Sequence, residues 1–137
     1  MLSEDLVKKV KDILDGMNVR YEEGKVKDAT FLISLWRTDK WDELEIDIVI
    51  SPGNLVVLFS TLPVSSEGME NWLLNKNWDY NFAHFATDIS GNVIVVSNIR
   101  GEDVSEELMR LSLASIIRAA DDLKEAIEEE ESGNSTQ

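Results

Sequence analysis

The segment of residues 43–62 constrains the fold of this chain more than any other, because it contains two apolar runs joined by a turn. In the first run, aliphatic residues occupy every second position: Leu44, Ile46, Ile48 and Ile50. This period of two is typical of a β-strand with one buried face. If the turn at residues 51–54 is even-numbered, Ile50 faces Leu55 across a hairpin with one continuously apolar face. A proline at the corner is not preferred in a two-residue turn, and a bulge would shift this pairing by one.

Three further segments predict helices, because their apolar residues recur at helical spacing. The first begins at Ser3, a favourable N-cap, and ends near Gly16. The second covers roughly residues 67–77, with Ser65 or Ser66 as its cap. The third begins after the N-cap Ser105 and carries a broad apolar arc. These helices provide the apolar stripes that the strands need for a core.

The remaining apolar runs predict three more strands, at residues 29–37, 80–88 and 92–99. Residues 19–23 leave a further short strand open, and residues 22–28 predict a charged turn. The last two runs form a second hairpin, in which even register places Phe85 opposite Val96. The order is therefore helix, three strands, helix, two strands, helix. Consecutive, hairpin-linked strands predict an α+β fold with three helices and a mainly antiparallel five-stranded sheet.

Composition limits the kinds of protein that this chain can be. Its 137 residues suffice for one domain, which we assign to residues 1–131, followed by a disordered tail at 132–137. The absence of cysteine excludes disulfides and thiolate chemistry. The formal net charge of -14 at pH 7 disfavours nucleic acid and anionic membranes and suits a basic partner segment. No apolar run is long enough to cross a bilayer, and no signal peptide is recognised, so a cytoplasmic location is expected.

The second face of the predicted sheet is too apolar to lie in water. In even register this face carries six large residues: Leu32, Trp36, Val49, Val56, Leu58 and Leu62. The first and third helices can cover the opposite face, whereas the second is too short to cover this one. We therefore predict that a second subunit covers it in an isologous homodimer. The alternative is a monomer whose last helix wraps further.

Four short motifs lie between residues 71 and 108: Asn-Trp-Leu-Leu-Asn at 71–75, Phe-Ala-His-Phe at 82–85, Asp-Ile-Ser-Gly at 88–91 and Val-Ser-Glu-Glu-Leu at 104–108. They resemble the YbjN family, whose members have the fold of type III secretion chaperones, and the predicted element order matches that family. The resemblance implies a compact, acidic, cytoplasmic homodimer and carries no catalytic signature. In the secretion chaperones such dimers hold an extended client segment along apolar grooves, whereas YbjN-like proteins are described as sensory or regulatory.

Candidate binding residues come from the second face, the second helix and two loops. Six residues are candidates for partner binding or dimer contact: Trp36, Val56, Leu58, Met69, Trp72 and Leu73. Trp41 and Trp78 lie in predicted loops beside charged residues, and they are candidates for ligand contact because tryptophan is enriched in interface hot spots.

Two constellations raise the question of catalysis or metal binding. In even register His84 lies across from Ser97, but no orienting acid or nucleophile elbow accompanies the pair, so a structural histidine is favoured. Glu43, Glu45 and Asp47 share a strand face, but no EF-hand spacing is present and side chains along a strand diverge. We therefore predict no catalytic residue, no metal and no cofactor.

These observations support a non-enzymatic, dimeric module that binds a polypeptide partner, in a chaperone-like or regulatory role. The partner would occupy apolar grooves beside the second helix and the sheet edge, with strand addition as one mode. The alternative is a small-molecule sensor domain with a pocket between sheet and helix. A hydrolase that uses His84 and Ser97 is the third hypothesis.

Overall fold

The computed structural model describes residues 3–135, with side chains for residues 4–133. The α-helices are α1 (Ser3–Gly16), α2 (Glu70–Lys76) and α3 (Glu106–Ser135). The strands are β1 (Glu22–Val26), β2 (Ala29–Trp36), β3 (Leu44–Ser51), β4 (Leu55–Ser65), β5 (His84–Thr87) and β6 (Asn92–Arg100). Helix α3 includes residues 132–135, where a disordered tail was expected, and residues 136 and 137 lie outside the described part.

The six strands form one sheet in the order β1-β2-β3-β4-β6-β5, and every neighbouring pair is antiparallel. This confirms the predicted α+β fold and its antiparallel sheet. The sheet has six strands rather than five because β1 forms where a charged turn was expected. Its partner β2 supplies the hydrogen bonds across the two-residue loop of Lys27 and Asp28, and charged side chains suit a strand at the sheet edge.

The β3–β4 hairpin pairs one residue away from the predicted register, so that Ile50 faces Val56 instead of Leu55. Its loop has three residues, of which the last, Asn54, takes a left-handed conformation with φ of 60°. Three-residue loops of this kind are common in hairpins. Because the loop is odd-numbered, the even register assumed from the sequence is wrong.

The β5–β6 hairpin shows the same shift, since Phe85 faces Val95 and not Val96. The Asp88 N–H donates to the Asn92 carbonyl at 3.0 Å, which again leaves three residues in the loop. The last of them, Gly91, has a φ of 83°. The two hairpins therefore have the same kind of three-residue loop, and the predicted register was wrong by one residue in both.

All three helices pack on one side of the sheet, which we term the covered face. Eight of its residues are at most 4% exposed: Leu32, Ser34, Ile46, Ile48, Val56, Leu58, Val95 and Ser97. Helix α1 packs Leu6, Val10 and Leu14 into the core. In α3 the Ser112 hydroxyl accepts a hydrogen bond from Ser97 of β6 at 3.0 Å. This packing buries the predicted apolar stripes of the helices.

The starts of α2 and α3 show how local hydrogen bonds set the helix ends. The Leu108 N–H donates to the Ser105 hydroxyl at 3.1 Å, which confirms Ser105 as the N-cap of α3. Helix α2 begins at Glu70, later than predicted. The N–H and hydroxyl of Ser66 both donate to the Gly91 carbonyl, at 2.8 and 2.9 Å, so Ser66 is not available as a cap.

Candidate functional site

The sheet side opposite the helices is apolar, and we term it the open face. Seven half-buried residues from four strands form it: Phe31, Ile33, Val49, Val57, Phe59, Ile94 and Val96. The pairing places Val49 beside Phe31 on one side and beside Val57 on the other, so these side chains are contiguous across strands. At one end Leu35 is 66% exposed. Contiguous apolar surface of this kind makes the open face a candidate interaction site.

An acidic residue, Asp47, lies in the middle of the open face. Its strand neighbours are Ile33 of β2 and Phe59 of β4, both apolar. The Asp47 Oδ1 atom is buried and has no hydrogen-bond partner among the described residues. Burial raises the pKa of Asp47 to about 7, and the neighbouring Glu45 carboxylate adds to this increase. The open face therefore holds a carboxyl group with one oxygen that has no hydrogen-bond partner among the described residues.

A second apolar surface, the α2–β5 groove, lies where α2 packs beside the outermost strand. Its lining residues are Glu70, Leu73, Leu74, Asn77, Phe85, Ala86 and Thr87. Leu74 is 71% exposed, and Trp78, in the short 3-10 helix Asn77–Asp79 that follows α2, is 92% exposed. Tryptophan is enriched in interface hot spots, and the exposed leucine adds apolar surface that a partner can bury.

The edge of β5 beside this groove is occupied by the side chain of Asn77. The Phe85 N–H donates to Asn77 Oδ1 at 2.6 Å, and Asn77 Nδ2 donates to the Phe85 carbonyl at 3.2 Å. A sheet edge binds a further strand through such free N–H and carbonyl groups. Because Asn77 occupies both groups of Phe85, strand addition to β5, as considered from the sequence, is opposed at this position.

The predicted partner-binding residues divide between the core and the surface. Val56 and Leu58 are fully buried on the covered face and Leu73 is 5% exposed, so a partner cannot reach their side chains. Val56 and Leu58 were assigned to the second face because the assumed register was wrong by one residue. Met69 and Trp72, by contrast, are half-buried. Trp36 is also half-buried, and its indole donates to the Ser34 hydroxyl at 2.8 Å on the covered face.

The two tryptophans proposed for ligand contact differ in position. Trp41 is only 9% exposed, and its indole N–H donates to the Ala120 carbonyl of α3 at 2.9 Å. Lys124 lies over its ring at 4.8 Å. Trp41 therefore anchors the loop after β2 to α3 and is not available to a ligand. Trp78 is at the surface, and its role in binding stays a prediction.

The serine–histidine arrangement does not form. His84 pairs with Val96 and is exposed on the open side, whereas Ser97 is buried on the covered face and bonds to Ser112. The one-residue shift in the β5–β6 register separates them, because successive residues of a strand point to opposite faces.

The acidic strand face provides no metal site. Glu45 and Asp47 share the open side of β3, as predicted, but within residues 3–135 no three His, Asp or Glu side chains come together to hold an ion. The depression between α1 and the sheet is lined largely by charged side chains, including Glu4, Lys11 and Glu23. Such a lining does not favour the apolar ligand pocket of the sensor hypothesis. No helix within residues 3–135 has the length and apolarity to cross a membrane.

Sequence reasoning missed the open face as a unit and missed Asp47 as part of it. The sequence grouped Val49 with Val56 and Leu58 on one face, but the register places Val49 on the open face and the other two on the covered face. The signal that could have corrected this is the loop ending in Asn54, a residue that tolerates the left-handed region. An unpaired carboxyl group has no sequence signal of its own.

Comparisons with known proteins identify the fold. No family model matches the sequence, and no curated protein matches it. A chain in the crystal structure of the ExsC–ExsE complex has a TM-score of 0.60 at 16% identity over 86% of this chain and 92% of that one. A chain in the structure of the HopA1–SchA chaperone–effector complex has a TM-score of 0.55 at 12% identity, with coverage of 82% and 88%. These similarities confirm the predicted chaperone-like α+β fold.

Proposed function

We propose that this protein is a non-enzymatic, homodimeric module that holds a segment of another polypeptide on the open face, in a chaperone-like or regulatory role. The likeness of the fold to a chain of a chaperone–effector complex supports a protein partner. The resemblance of residues 71–108 to the YbjN family supports the same reading and a cytoplasmic location.

The proposal rests on the apolar character of the open face. Its seven apolar side chains are contiguous on a sheet whose helices all pack on the other side. Burial of apolar surface contributes roughly 25 cal/mol per Å². Phe31 and Phe59 are the largest of these side chains, and aromatic residues contribute strongly to interfaces. A polypeptide segment with apolar side chains therefore gains free energy by docking there.

The α2–β5 groove is the surface that we assign to the homodimer. It lies at the β5 edge, where α2 contacts the covered side of β5 through Trp72, whose ring lies 5.7 Å from that of Phe85. It meets the open-face side at Ala86, which pairs with Ile94. Leu74 and Trp78 provide the exposed apolar groups that an isologous contact would bury. Dimer formation at this groove leaves the open face free for the partner.

The proposal is tested with short labelled peptides whose apolar residues alternate with polar ones, measured by fluorescence anisotropy. We expect the wild-type protein to bind apolar peptides. Replacing Val57 with Asn in the middle of the open face should weaken binding by about tenfold or more, ~1.4 kcal/mol. The matched variant Ile89→Asn changes an exposed residue in the β5–β6 loop and should bind like the wild type. Failure of all apolar peptides to bind the wild type would contradict the proposal.

A further inference from the structure

The position of Asp47 restricts what kind of segment can dock on the open face. Covering the face with apolar side chains alone would seal in a carboxyl group whose Oδ1 already lacks a hydrogen-bond partner. An unpaired polar group costs free energy when it is buried, and an unpaired charge costs more. The occupant must therefore supply either a hydrogen-bond donor or a positive charge at this point.

Within residues 4–133, no lysine or arginine forms an ion pair with Asp47, although the exposed Arg37 follows β2 directly. On its own strand the neighbour on the same face is Glu45, and from β1 the nearest ionisable group on this side is Glu22. The β2 and β4 residues opposite Asp47 are Ile33 and Phe59. Further from Asp47, the polar side chains on this side of the sheet are those of Asn98 and Arg100 in β6 and His84 in β5. Arg100 forms an ion pair with Asp103, with an N–O distance of 3.1 Å. The charged group that acts on Asp47 is therefore the Glu45 carboxylate.

A second copy of the chain is a poor occupant of this face. Each chain carries a formal net charge of -14. A two-fold contact centred on the face would bring two pairs of Asp47 and Glu45 together, and like charges at close range are repulsive. A segment with a basic side chain reverses the sign of this interaction.

We propose that the open face binds a segment of another protein in which apolar side chains flank one lysine or arginine, and that this cation pairs with Asp47 and Glu45. This inference rests on the proposed function and names the chemistry of its partner. Arginine can bond both carboxylates through its planar fork, whereas lysine acts as a point charge. The apolar flanks exclude water, which strengthens the ion pair.

The preference of the open face for a basic segment should depend on pH. The pKa of Asp47 is raised to about 7 in the free protein, so at pH 6 the group is mainly protonated and at pH 8 mainly ionised. A basic partner should therefore be preferred more strongly at pH 8 than at pH 6. Glu45 is exposed on the same face and moderates this change because it stays beside the partner's cation.

The experiment compares three peptides that differ only at their central residue, which is Lys, Gln or Glu between apolar flanks. At pH 8 we expect the wild type to prefer Lys over Gln by about tenfold or more. The Asp47→Asn variant should lose most of this preference while it keeps its affinity for the Gln peptide. Asp42→Asn removes the same charge from an exposed residue outside the strand and should keep the preference.

The outcomes separate this inference from the proposed function. Equal affinity of the wild type for the Lys and Gln peptides would overturn the inference and leave the function intact. A preference that survives in Asp47→Asn would also overturn it, because net charge would then be the cause. Binding of no peptide would contradict the function itself. A two-chain particle that dissociates on Val57→Asn would show that a second copy occupies the face, which again overturns the inference.

Discussion

The side chain of Asn77 blocks part of the edge of β5, one of the two edge strands of the sheet, from pairing with a further strand. Its side-chain amide accepts from the N–H of Phe85 and donates to the carbonyl of the same residue, as a neighbouring strand would. With only the residues His84–Thr87 in β5, these are a large share of the outward-facing groups of this edge. Edge strands are commonly protected from aggregation in such ways.

We predict that Asn77→Ala destabilises the protein by about 1–2 kcal/mol and promotes its association, because two backbone groups of β5 lose their partner. Denaturant titration measures the first effect, and light scattering at increasing concentration measures the second. Asn75→Ala, at an exposed position near the end of α2, is the matched control and should change neither. Unchanged stability of Asn77→Ala would show that water replaces both hydrogen bonds that the Asn77 amide makes to Phe85.

Asp47 should lower the stability of the free protein as the pH rises. Its pKa is about 7 in the folded state and near the ordinary 3.8 in the unfolded chain, so the folded state binds the proton more tightly. This contribution is therefore fully favourable below pH 3.8 and is lost as the pH rises to about 7. We predict that Asp47→Asn stabilises the protein on the order of 1–2 kcal/mol at pH 8, after allowance for solvent screening, and less at pH 5.

Urea titrations of the two proteins at both pH values measure this difference. Glu45→Gln removes the neighbouring carboxylate and should reduce the gap between the pH values, since part of the increase in the pKa comes from Glu45. Equal stability of Asp47→Asn and the wild type at pH 8 would mean that the carboxyl group is already solvated.

At the scale of elements, two three-residue loops set the register of the sheet. Asn54 and Gly91 end these loops with φ of 60° and 83°. A left-handed conformation costs an alanine about 1–2 kcal/mol. An added Cβ at Gly91 would meet no atom within 4 Å, so the backbone strain would be the only cost there.

We predict that Gly91→Ala destabilises the protein by about 1–2 kcal/mol. Gly53→Ala, in the corresponding three-residue loop, should be neutral or slightly stabilising, because Gly53 is not among the residues with positive φ and its added Cβ would only touch the Ser51 hydroxyl at 3.8 Å. Thermal unfolding of both variants measures the contrast. Similar melting temperatures would contradict the assigned loop geometry.

The sequence predicted the elements well and their pairing poorly, for a physical reason. Helical spacing and strand alternation are local, so the apolar stripe of the first helix was predicted correctly, and its Leu6, Val10 and Leu14 are buried. Register depends on the number of loop residues, and a single extra residue moves a side chain to the other face. Leu58 was assigned to the surface for this reason, and Trp41 because a loop position does not reveal its bond to Ala120.

The candidate site was less predictable than the fold, because it depends on what the helices leave uncovered. The sequence predicted an apolar second face, and the structure has one, but of the six residues named for it only Val49 lies there. Which residues form that face, and that Asp47 lies among them without a partner, required the pairing of β2, β3 and β4.

At the scale of the whole molecule, the two apolar surfaces should have different occupants. The open face carries Asp47 and Glu45, which disfavour a second copy of an acidic chain. The α2–β5 groove has its exposed Leu74 next to uncharged residues of β5, with Glu70 as the acidic residue of its lining. Self-association at the groove therefore meets less repulsion than at the open face.

We predict that the protein is a dimer through this groove, with a solution mass of twice the 15.5 kDa of one chain by size-exclusion chromatography with light scattering. Leu74→Glu should reduce this mass to that of one chain, because it places a charge in the apolar contact next to its own symmetry mate. Ile89→Glu makes the same change at an exposed loop position and should leave the dimer intact. Dissociation by Val57→Asn but not by Leu74→Glu would locate the dimer on the open face, and a one-chain mass for the wild type would exclude it altogether.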